Sequence, residues 1–339
     1  MYYQNSVEIF DKIKNSKKIL INCHYNPDPD SVSSALSLYS FIKSLKVEVD
    51  VVCPNNKLPS KLSFLDGYND IKLNTDYDNF NFDLYDLVLL VDSANPKVVS
   101  GKSNTNFIEK IKNLIVIDHH ATNNIDADIK LVDNNASSVT EIIYGFFEDN
   151  QIEIIPETAT KLLTGIYGDT SLLTLPSATE RTYDIVNKLV HLHADKNTVV
   201  IYLTKSEKLE MYKFWSFALS KINVDLENRF AYVFISFEEY SSFSNLENAK
   251  SKVASIFSNG IIDTDFGVVG VEKEKGVLDL SFRARTDYDT SIVAKALGGG
   301  GHKAMSAVLI EGVEYNSAVE RVLDECRKYA RKDSPSHQK

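Results

Sequence analysis

The feature that most constrains the fold is a series of short apolar segments, each followed by an acidic residue or a histidine. The segments are residues 18–22, 87–91 and 114–117. They lead into His24, Asp92 and Asp118, respectively. Runs of this length and apolarity are typical of buried parallel strands, whose carboxyl ends meet at one edge of a sheet. The chain is therefore predicted to have an α/β fold with a ligand site at that edge.

The turn that follows the first strand, residues 24–31, carries several groups able to bind a metal. His24 supplies an imidazole nitrogen, and Asp28 and Asp30 supply oxygens two residues apart in a backbone stiffened by two prolines. Carboxylates placed this closely are unfavourable as anions unless cations separate them. The alternative is structural, because Asp30 or Ser31 could cap the next helix. The turn alone leaves both interpretations open.

Composition places the chain among ordinary globular proteins. Its 339 residues are 43% hydrophobic and 25% charged, which suffices for two domains with substantial cores. The net charge of −10 disfavours long nucleic acids, which bind basic surfaces. The N-terminus has no secretion-signal pattern and no apolar run is long enough to span a bilayer, so we expect a cytoplasmic protein. Cys23, Cys53 and Cys326 are widely spaced, so no disulfide or zinc knuckle is expected.

Periodicity predicts alternating strands and helices in the first half of the chain. Helices are expected at residues 5–14, 31–46, 107–112, 138–149, from 156 and at 177–192, and strands at 18–22, 47–53, 87–91, 114–117 and just before 133. Ser137 and Ser138 stand at a helix start, where they could cap the helix or hold a phosphate. Asp169, close to two glycines, is a further candidate acidic ligand.

The pattern changes after a helical bridge at residues 195–221. Strands are expected at 230–235, 267–272, 277–285 and 304–310, with helices at 246–257, 291–297 and 315–329. Arg283 and Arg285 would share one polar strand face with Ser281. A glycine run precedes His302 and could be either a flexible loop or a turn whose amides approach a phosphate or a base. Its members are Gly298, Gly299, Gly300 and Gly301.

Six short motifs occur along the chain in a fixed order. They are HYNPDPDS at 24–31, VDSAN at 91–95, DHH at 118–120, NNASS at 134–138, GDT at 168–170 and GGGGH at 298–302. In this order they resemble the DHH phosphoesterase family, in the branch whose C-terminal DHH-associated domain carries a GGGH motif. The resemblance implies a parallel-sheet DHH domain joined by a helical linker to a smaller α+β domain. The predicted bounds are 1–190, 191–221, 222–330 and a mobile tail at 331–339.

The resemblance also implies two divalent metal ions, with Mn²⁺ preferred over Mg²⁺ or Co²⁺. The implied ligands of the first ion are His24, Asp28 and Asp92. Those of the second are Asp30, Asp92, His119 and Asp169, so that Asp92 bridges the two ions. Asp118 would orient a neighbouring ligand, and His120 would face the scissile phosphate. The implied substrate-binding groups are Arg283, Arg285, the four glycines, His302, Ser137 and Ser138.

Two-domain members of this branch resemble the bifunctional nanoRNase and 3′-phosphoadenosine-5′-phosphate phosphatase type. The resemblance implies that hydroxide attacks phosphorus in a two-metal site, releasing mononucleotides from short oligoribonucleotides and AMP from the bisphosphate. Hydrolysis of cyclic di-AMP or linear pApA is the alternative, and a non-catalytic nucleotide sensor is an alternative of another class. The GGGGH motif disfavours a pyrophosphatase. Expected partners are short oligoribonucleotides and small nucleotides, without long duplexes or membranes, and a homodimer is compatible with the family.

Two segments depart from the family pattern. Residues 31–34 read Ser-Val-Ser-Ser where relatives often carry Ala-Xaa-Gly-Ser, and residues 171–173 read Ser-Leu-Leu where Gly-Arg-Phe is common. The departures leave every implied metal ligand in place. They remove a glycine near the cleft and an arginine that could contact the substrate, so the substrate contacts are less well specified than the metal ligands.

Overall fold

The chain divides into two compact units, Met1–Ser206 and Glu207–Lys339. The computed structural model describes residues 2–243, 246, 249–257 and 260–331, without the side chain of Phe257. The predicted linker, 191–221, contributes one helix to each unit, and its assignment as a separate segment stays a prediction. Of the predicted tail, residues 332–339 lie outside the described residues.

The first unit contains a five-stranded parallel sheet flanked by helices, which confirms the predicted α/β class. The strands are β1 (Lys18–Asn22), β2 (Glu48–Val52), β3 (Leu87–Val91), β4 (Leu114–Asp118) and β5 (Ile129–Val132). The helices are α1 (Ser6–Asn15), α2 (Pro29–Ser44), α3 (Pro96–Ser100), α4 (Val139–Asp149), α5 (Pro156–Asp169), α6 (Glu180–His191) and α7 (Lys196–Thr204). The strand order β2-β1-β3-β4-β5 places the three acid-ended or histidine-ended strands side by side in the centre.

The three central strands are buried on both faces, which explains why they are nearly continuous apolar runs. One face packs against α2 and α4, with Ile21, Leu89 and Ile117 in that core, and α5 packs on these two helices. The opposite face is covered by aromatic side chains from the loops, including Tyr77 and Phe107. Cores on both faces hold the central strands in fixed register, so the side chains at their carboxyl ends are held in place too.

The predicted helix at 107–112 is wrong. Only Ile108–Lys110 is helical there, as a short 3₁₀ turn, and the α-helix between β3 and β4 is α3. The start of α3 has a local cause, because the Asn95 side chain accepts a hydrogen bond of 3.1 Å from the Val98 N–H and Pro96 occupies the first helical position. The Asn-Pro pair was the signal for this helix.

The second unit is built on a six-stranded sheet of order β10-β11-β9-β8-β7-β6, which confirms the predicted α+β class. Its strands are β6 (Asn223–Asp225), β7 (Phe230–Ile235), β8 (Phe266–Glu274), β9 (Val277–Ala284), β10 (Gly300–Gly301) and β11 (Met305–Glu311). Its helices are α8 (Leu209–Ser220), α9 (Phe237–Tyr240), α10 (Ala249–Phe257), α11 (Thr290–Ala296) and α12 (Tyr315–Tyr329). Residues from α11 and α12 bury one face, and residues from α8 and α10 bury the other over β7 and β8.

All three cysteines, Cys23, Cys53 and Cys326, are buried as free thiols. Across the part of the chain that the structure describes, no helix has both the length and the apolar character needed to cross a bilayer.

Candidate metal centre

The carboxyl edge of the first sheet gathers acidic and histidine side chains into one continuous cluster. Three groups each have their ligand atoms within 4.8 Å of one another. They are His24, Asp28 and Asp92; Asp92, His119 and His120; and Asp30, His119 and Asp169. Asp92 belongs to two groups and His119 to two, so the three groups form a single site. Every residue implied as a metal ligand lies in this cluster.

Asp92 is the central carboxylate of the cluster. It follows β3 directly and has a left-handed φ of 53°, with its N–H donating to the Ile117 carbonyl of β4 at 3.0 Å. Its side chain is only 3% exposed. One oxygen lies 3.4 Å from Nε2 of His24, and the other lies 3.7 Å from Nε2 of His119. The carboxylate therefore faces two imidazoles on opposite sides, as a bridging ligand would.

Backbone carbonyls orient both imidazoles. Nδ1 of His24 is 2.8 Å from the Tyr25 carbonyl, and Nδ1 of His119 is 3.3 Å from the Ala136 carbonyl. A carbonyl can only accept, so each Nδ1 carries a hydrogen, and in the neutral imidazole each Nε2 then has the lone pair. The lone pairs point toward carboxylates, including an Asp169 oxygen 3.4 Å from Nε2 of His119. This is the arrangement in which histidine binds a metal.

Asp28, rather than Asp30 or Ser31, caps helix α2. Its Oδ1 accepts a hydrogen bond of 2.9 Å from the Ser31 N–H and also lies 3.9 Å from Nε2 of His24. The Ser31 hydroxyl instead accepts from the His24 N–H at 3.1 Å. The structural and the metal-binding interpretations of this turn therefore both apply to Asp28, because its carboxylate caps α2 and also lies within the cluster.

The electrostatics of the cluster fit divalent cations. Burial and the neighbouring carboxylates, first Asp28 and then Asp30, raise the pKa of Asp92 well above its usual range. Burial and the charge on Asp30 do the same to the pKa of Asp169. Carboxylate oxygens suit Mg²⁺ and Mn²⁺, and the added imidazoles favour a transition metal. Cations between these groups would remove the repulsion, so the donor set fits the two-ion centre that the sequence implies.

Asp118 lies beside the cluster without belonging to any of its ligand groups. It is fully buried and accepts hydrogen bonds from Nδ1 of His120 at 2.8 Å, from the His119 N–H at 2.9 Å and from Nδ2 of Asn123 at 2.8 Å. Burial acts to raise the pKa of Asp118, but the hydrogen bonds from His120 and Asn123 outweigh it and lower that pKa. In return, the bond to Asp118 raises the pKa of His120. Asn123 was missed, since nothing in the sequence distinguishes it from other loop asparagines such as the adjacent Asn124.

The two serines proposed to hold a phosphate have protein partners. Ser138 is the N-cap of α4 and accepts from the Glu141 N–H at 3.1 Å, while the Ser137 hydroxyl donates to Glu141 at 2.6 Å. The first amides of α4 are directed at a carboxylate, because the Val139 N–H donates to Asp30 at 2.6 Å. Capping accounts for these contacts, and a substrate role for Ser137 and Ser138 stays a prediction.

Glu141 anchors α4 next to the cluster, and we expect the Glu141→Ala variant to be strongly destabilised. Its fully buried carboxylate accepts from Arg181 at 2.5 Å, from Thr182 at 2.8 Å and from Ser137. Removal of the Glu141 carboxylate leaves Arg181, Thr182 and Ser137 without their acceptor. We expect a loss of about 3 kcal/mol in the free energy of unfolding, the lower end of the range for buried ion pairs, because Arg181 is partly exposed to water. Urea unfolding measures the loss. The exposed Glu148→Ala on the same helix is the control, and equal stability of the two variants would contradict the role of this network.

The candidate substrate residues of the second unit surround the end of β9. Met305 pairs with Arg283 across neighbouring strands, and β10 continues the sheet with Gly301 opposite Ser306. The last two glycines of the run, Gly300 and Gly301, therefore form a short strand at the edge of the sheet. A side chain at Gly299 would place its Cβ 2.2 Å from the Ala307 carbonyl oxygen, so the close strand approach requires glycine there. His302 follows in an exposed turn, with its N–H donating to Met305 at 2.7 Å.

The predicted polar face of β9 is only partly correct. Arg283 is half-buried, which lowers the pKa of its guanidinium, and its Nη1 donates to the Phe282 carbonyl at 2.9 Å. Arg285 lies one residue beyond the strand and is exposed. Ser281 is only 3% exposed, and it pairs with Val269, whose side chain lies in the core that α8 and α10 cover. The two arginines, without Ser281, are the groups open to a ligand.

The fold and the cluster together define the class of the protein. It is a metal-dependent α/β protein whose metal centre lies at the carboxyl edge of a parallel sheet. The chain belongs to the DHH family. The model of the "DHH family, N-terminal domain" matches residues 18–166. A Streptococcus mutans protein named probable bifunctional oligoribonuclease and PAP phosphatase NrnA is 32% identical over 305 residues, which cover 88% of this chain and 91% of that protein.

Two further matches are a longer relative, found by sequence, and a solved structure. The cyclic-di-AMP phosphodiesterase GdpP of Bacillus subtilis is 24% identical over 322 residues, which cover 91% of this chain but 47% of GdpP. The crystal structure of an exopolyphosphatase-related protein from Bacteroides fragilis superposes with a TM-score of 0.87 at 23% identity, covering 96% of each chain. That structural match supports the fold alone.

Proposed function

We propose that this protein is a metal-dependent phosphoesterase that hydrolyses short oligoribonucleotides to mononucleotides and 3′-phosphoadenosine-5′-phosphate to AMP. The observation that carries the proposal is the cluster centred on Asp92, in which two imidazole lone pairs face one buried carboxylate. The relative from Streptococcus mutans, which this chain matches over nearly its full length, supports the substrate class by its name. Mn²⁺ is the proposed metal and the cytoplasm the proposed location.

The role proposed for each residue follows from the hydrogen bonds that its side chain makes in the structure. Two bound divalent ions would supply Lewis-acid activation of water and neutralise charge on the phosphoryl oxygens. His24, Asp28, Asp30, Asp92, His119 and Asp169 would hold them. Asp118 accepts a hydrogen bond of 2.8 Å from Nδ1 of His120 and raises the pKa of that imidazole. In its protonated form His120 also carries a proton on Nε2, which it would donate to the phosphate or the leaving oxygen.

In the second unit, Arg283 and Arg285 are the proposed partners of the terminal phosphate. Guanidinium groups bind phosphate through paired N–H donors, and neither arginine has an ion-pair partner within the described ranges. The glycine run and His302 would contact the adjoining nucleotide. A chain of net charge −10 has little general attraction for a long polyanion, so these local groups suit a short substrate and no duplex. A homodimer stays a prediction.

Hydrolysis of cyclic di-AMP or linear pApA is the second candidate. It is favoured by the match to GdpP, which extends over 91% of this chain. The identity is lower than for the oligoribonuclease-named relative, and GdpP is about twice as long as the matched region. We therefore rank this candidate second.

A substrate panel tests the proposal directly. With Mn²⁺ present, a linear RNA dinucleotide and 3′-phosphoadenosine-5′-phosphate should release mononucleotide at least about tenfold faster than cyclic di-AMP or long single-stranded DNA, a difference of about 1.4 kcal/mol in transition-state stabilisation. Preference for cyclic di-AMP would move the protein to the second candidate. Binding of nucleotide with no turnover of any substrate would contradict the enzyme and support a sensor.

A further inference from the structure

Asp30 is the most heavily hydrogen-bonded carboxylate of the candidate centre. It is fully buried in the first turn of α2, and the start of α4 supplies three donors to it. The Val139 N–H donates to one oxygen at 2.6 Å, while the N–H and the hydroxyl of Thr140 donate to the other at 3.0 and 2.7 Å. The same Oδ1 also accepts a long hydrogen bond of 3.5 Å from the Ser34 hydroxyl. A carboxylate has about four lone-pair sites, about two on each oxygen, so the single donor on Oδ2 leaves about one site there for a cation.

The Thr140 hydroxyl is the one side-chain donor that α4 directs at Asp30, and the direction of its hydrogen bond can be assigned. A carboxylate can only accept, so Thr140 must donate its single proton to Asp30. Ser138, 2.9 Å away, must then donate to the Thr140 oxygen, and its own oxygen accepts from the Glu141 N–H. The result is a chain of hydrogen bonds from the helix cap to the carboxylate, in which each bond polarises the next.

Gly165 allows α5 to approach the same carboxylate. A Cβ at this position would lie 2.5 Å from Oδ1 of Asp30 and 2.4 Å from the Thr140 hydroxyl oxygen. Asp169 is four residues further along α5 and therefore lies on the same helix face. The absence of a side chain at Gly165 brings the helix that carries Asp169 against Asp30 and Thr140.

We propose that Thr140 is a positioning residue that orients Asp30 for metal binding, in a space that Gly165 keeps open. This inference rests on the proposed function, since it concerns how one of the two ions is held. Thr140 would act only through Asp30, because its hydroxyl proton is committed to that carboxylate. Its effect should therefore fall on the ion bound by Asp30, His119 and Asp169, and much less on the ion bound by His24, Asp28 and Asp92.

Mn²⁺ titration of the full-length chain without substrate, by calorimetry and electron paramagnetic resonance, tests the inference. Removing a residue that orients a metal ligand costs about 10–100-fold in affinity, so Thr140→Val should weaken one of two Mn²⁺ sites by that factor. Thr140→Ser keeps the hydroxyl and should restore affinity to within about threefold of wild type. Gly165→Ala should weaken the same site, because its methyl group would displace Asp30.

Thr164→Val is the matched control. Thr164 is as buried as Thr140 and neighbours Gly165, but its hydroxyl donates to the Thr160 carbonyl at 2.7 Å rather than to the cluster. Circular dichroism and melting temperature establish which variants are folded, and either folded Thr140→Val or folded Gly165→Ala suffices for the test. Two unchanged Mn²⁺ sites in a folded test variant, an equal loss in Thr164→Val, or no rescue by Thr140→Ser would overturn the inference. A wild-type chain that binds no Mn²⁺ would instead contradict the metal centre itself, and the inference with it.

Discussion

Replacement of Asp92 by asparagine is expected to lower kcat/KM by at least about a thousandfold, which corresponds to roughly 4 kcal/mol of transition-state stabilisation. The physical reason is its position, with its two oxygens 3.4 and 3.7 Å from Nε2 of His24 and His119. Asparagine keeps the shape but offers only one oxygen and no charge, so one ion would lose its bridging ligand. Steady-state kinetics at saturating Mn²⁺ measures the effect.

The fold should survive this substitution. Burial and neighbouring carboxylates disfavour a charge on Asp92, so a neutral side chain should leave the melting temperature of the metal-free protein unchanged or raised. Asp86→Asn is the control, because Asp86 immediately precedes the same strand at its opposite end and accepts hydrogen bonds from the Lys17 and Lys18 N–H groups. Activity retained in Asp92→Asn, or lost equally in Asp86→Asn, would refute the bridging assignment.

Removal of divalent cations with a chelator is expected to abolish turnover and to lower thermal stability, with both restored by Mn²⁺. A metal ion present at a free concentration 100 times its Kd adds about 2.7 kcal/mol to the free energy of unfolding. The increase in stability that Mn²⁺ produces should become larger as the pH rises. The folded-state pKa values of Asp30, Asp92 and Asp169 are raised, so their contribution to metal-free stability is present below the ordinary carboxyl pKa and is lost as pH rises through the raised values.

Melting curves of the chelated and Mn²⁺-loaded protein between pH 5 and pH 8 measure this dependence, with Ca²⁺ as a comparison for general ionic effects. Asp92→Asn should show a much smaller Mn²⁺-induced shift than wild type. A shift that is equal at all pH values, or one that Ca²⁺ reproduces fully, would argue that cations stabilise the protein at other places.

Much of the fold and site was predictable because the signals are local. Apolar runs identify β1, β3 and β4, and the chemistry of the residues that follow them identifies the cluster. Other features depend on how distant elements pack. The donation from Thr140 to Asp30 joins residues 110 positions apart, and the space at Gly165 exists only once α5 lies against α2. The burial of Ser281 depends on the helices that cover its face of the sheet, which alternation within one strand does not reveal.

Three consecutive residues after Asp169 show why the family departures are hard to interpret from sequence. Ser171, Leu172 and Leu173 all have left-handed φ values, of 46°, 61° and 65°. Such conformations are costly for residues other than glycine, and here the Leu173 N–H donates to the Thr170 hydroxyl at 3.0 Å within the turn. The chain adopts this left-handed turn without the glycine that the resemblance leads one to expect at position 171. Propensity alone would have predicted a different turn.

The order of the first sheet has a consequence for how the protein forms. β1 lies between β2 and β3, and the cluster joins His24 to Asp169 across nearly the whole first unit. Contacts of such large sequence separation form slowly, because long loops must close before they become favourable. During synthesis, the ligands cannot assemble until α5 has left the ribosome. Acquisition of metal by the nascent chain would therefore mark the docking of α5, and a chain truncated before Asp169 would contain all five strands without a complete centre.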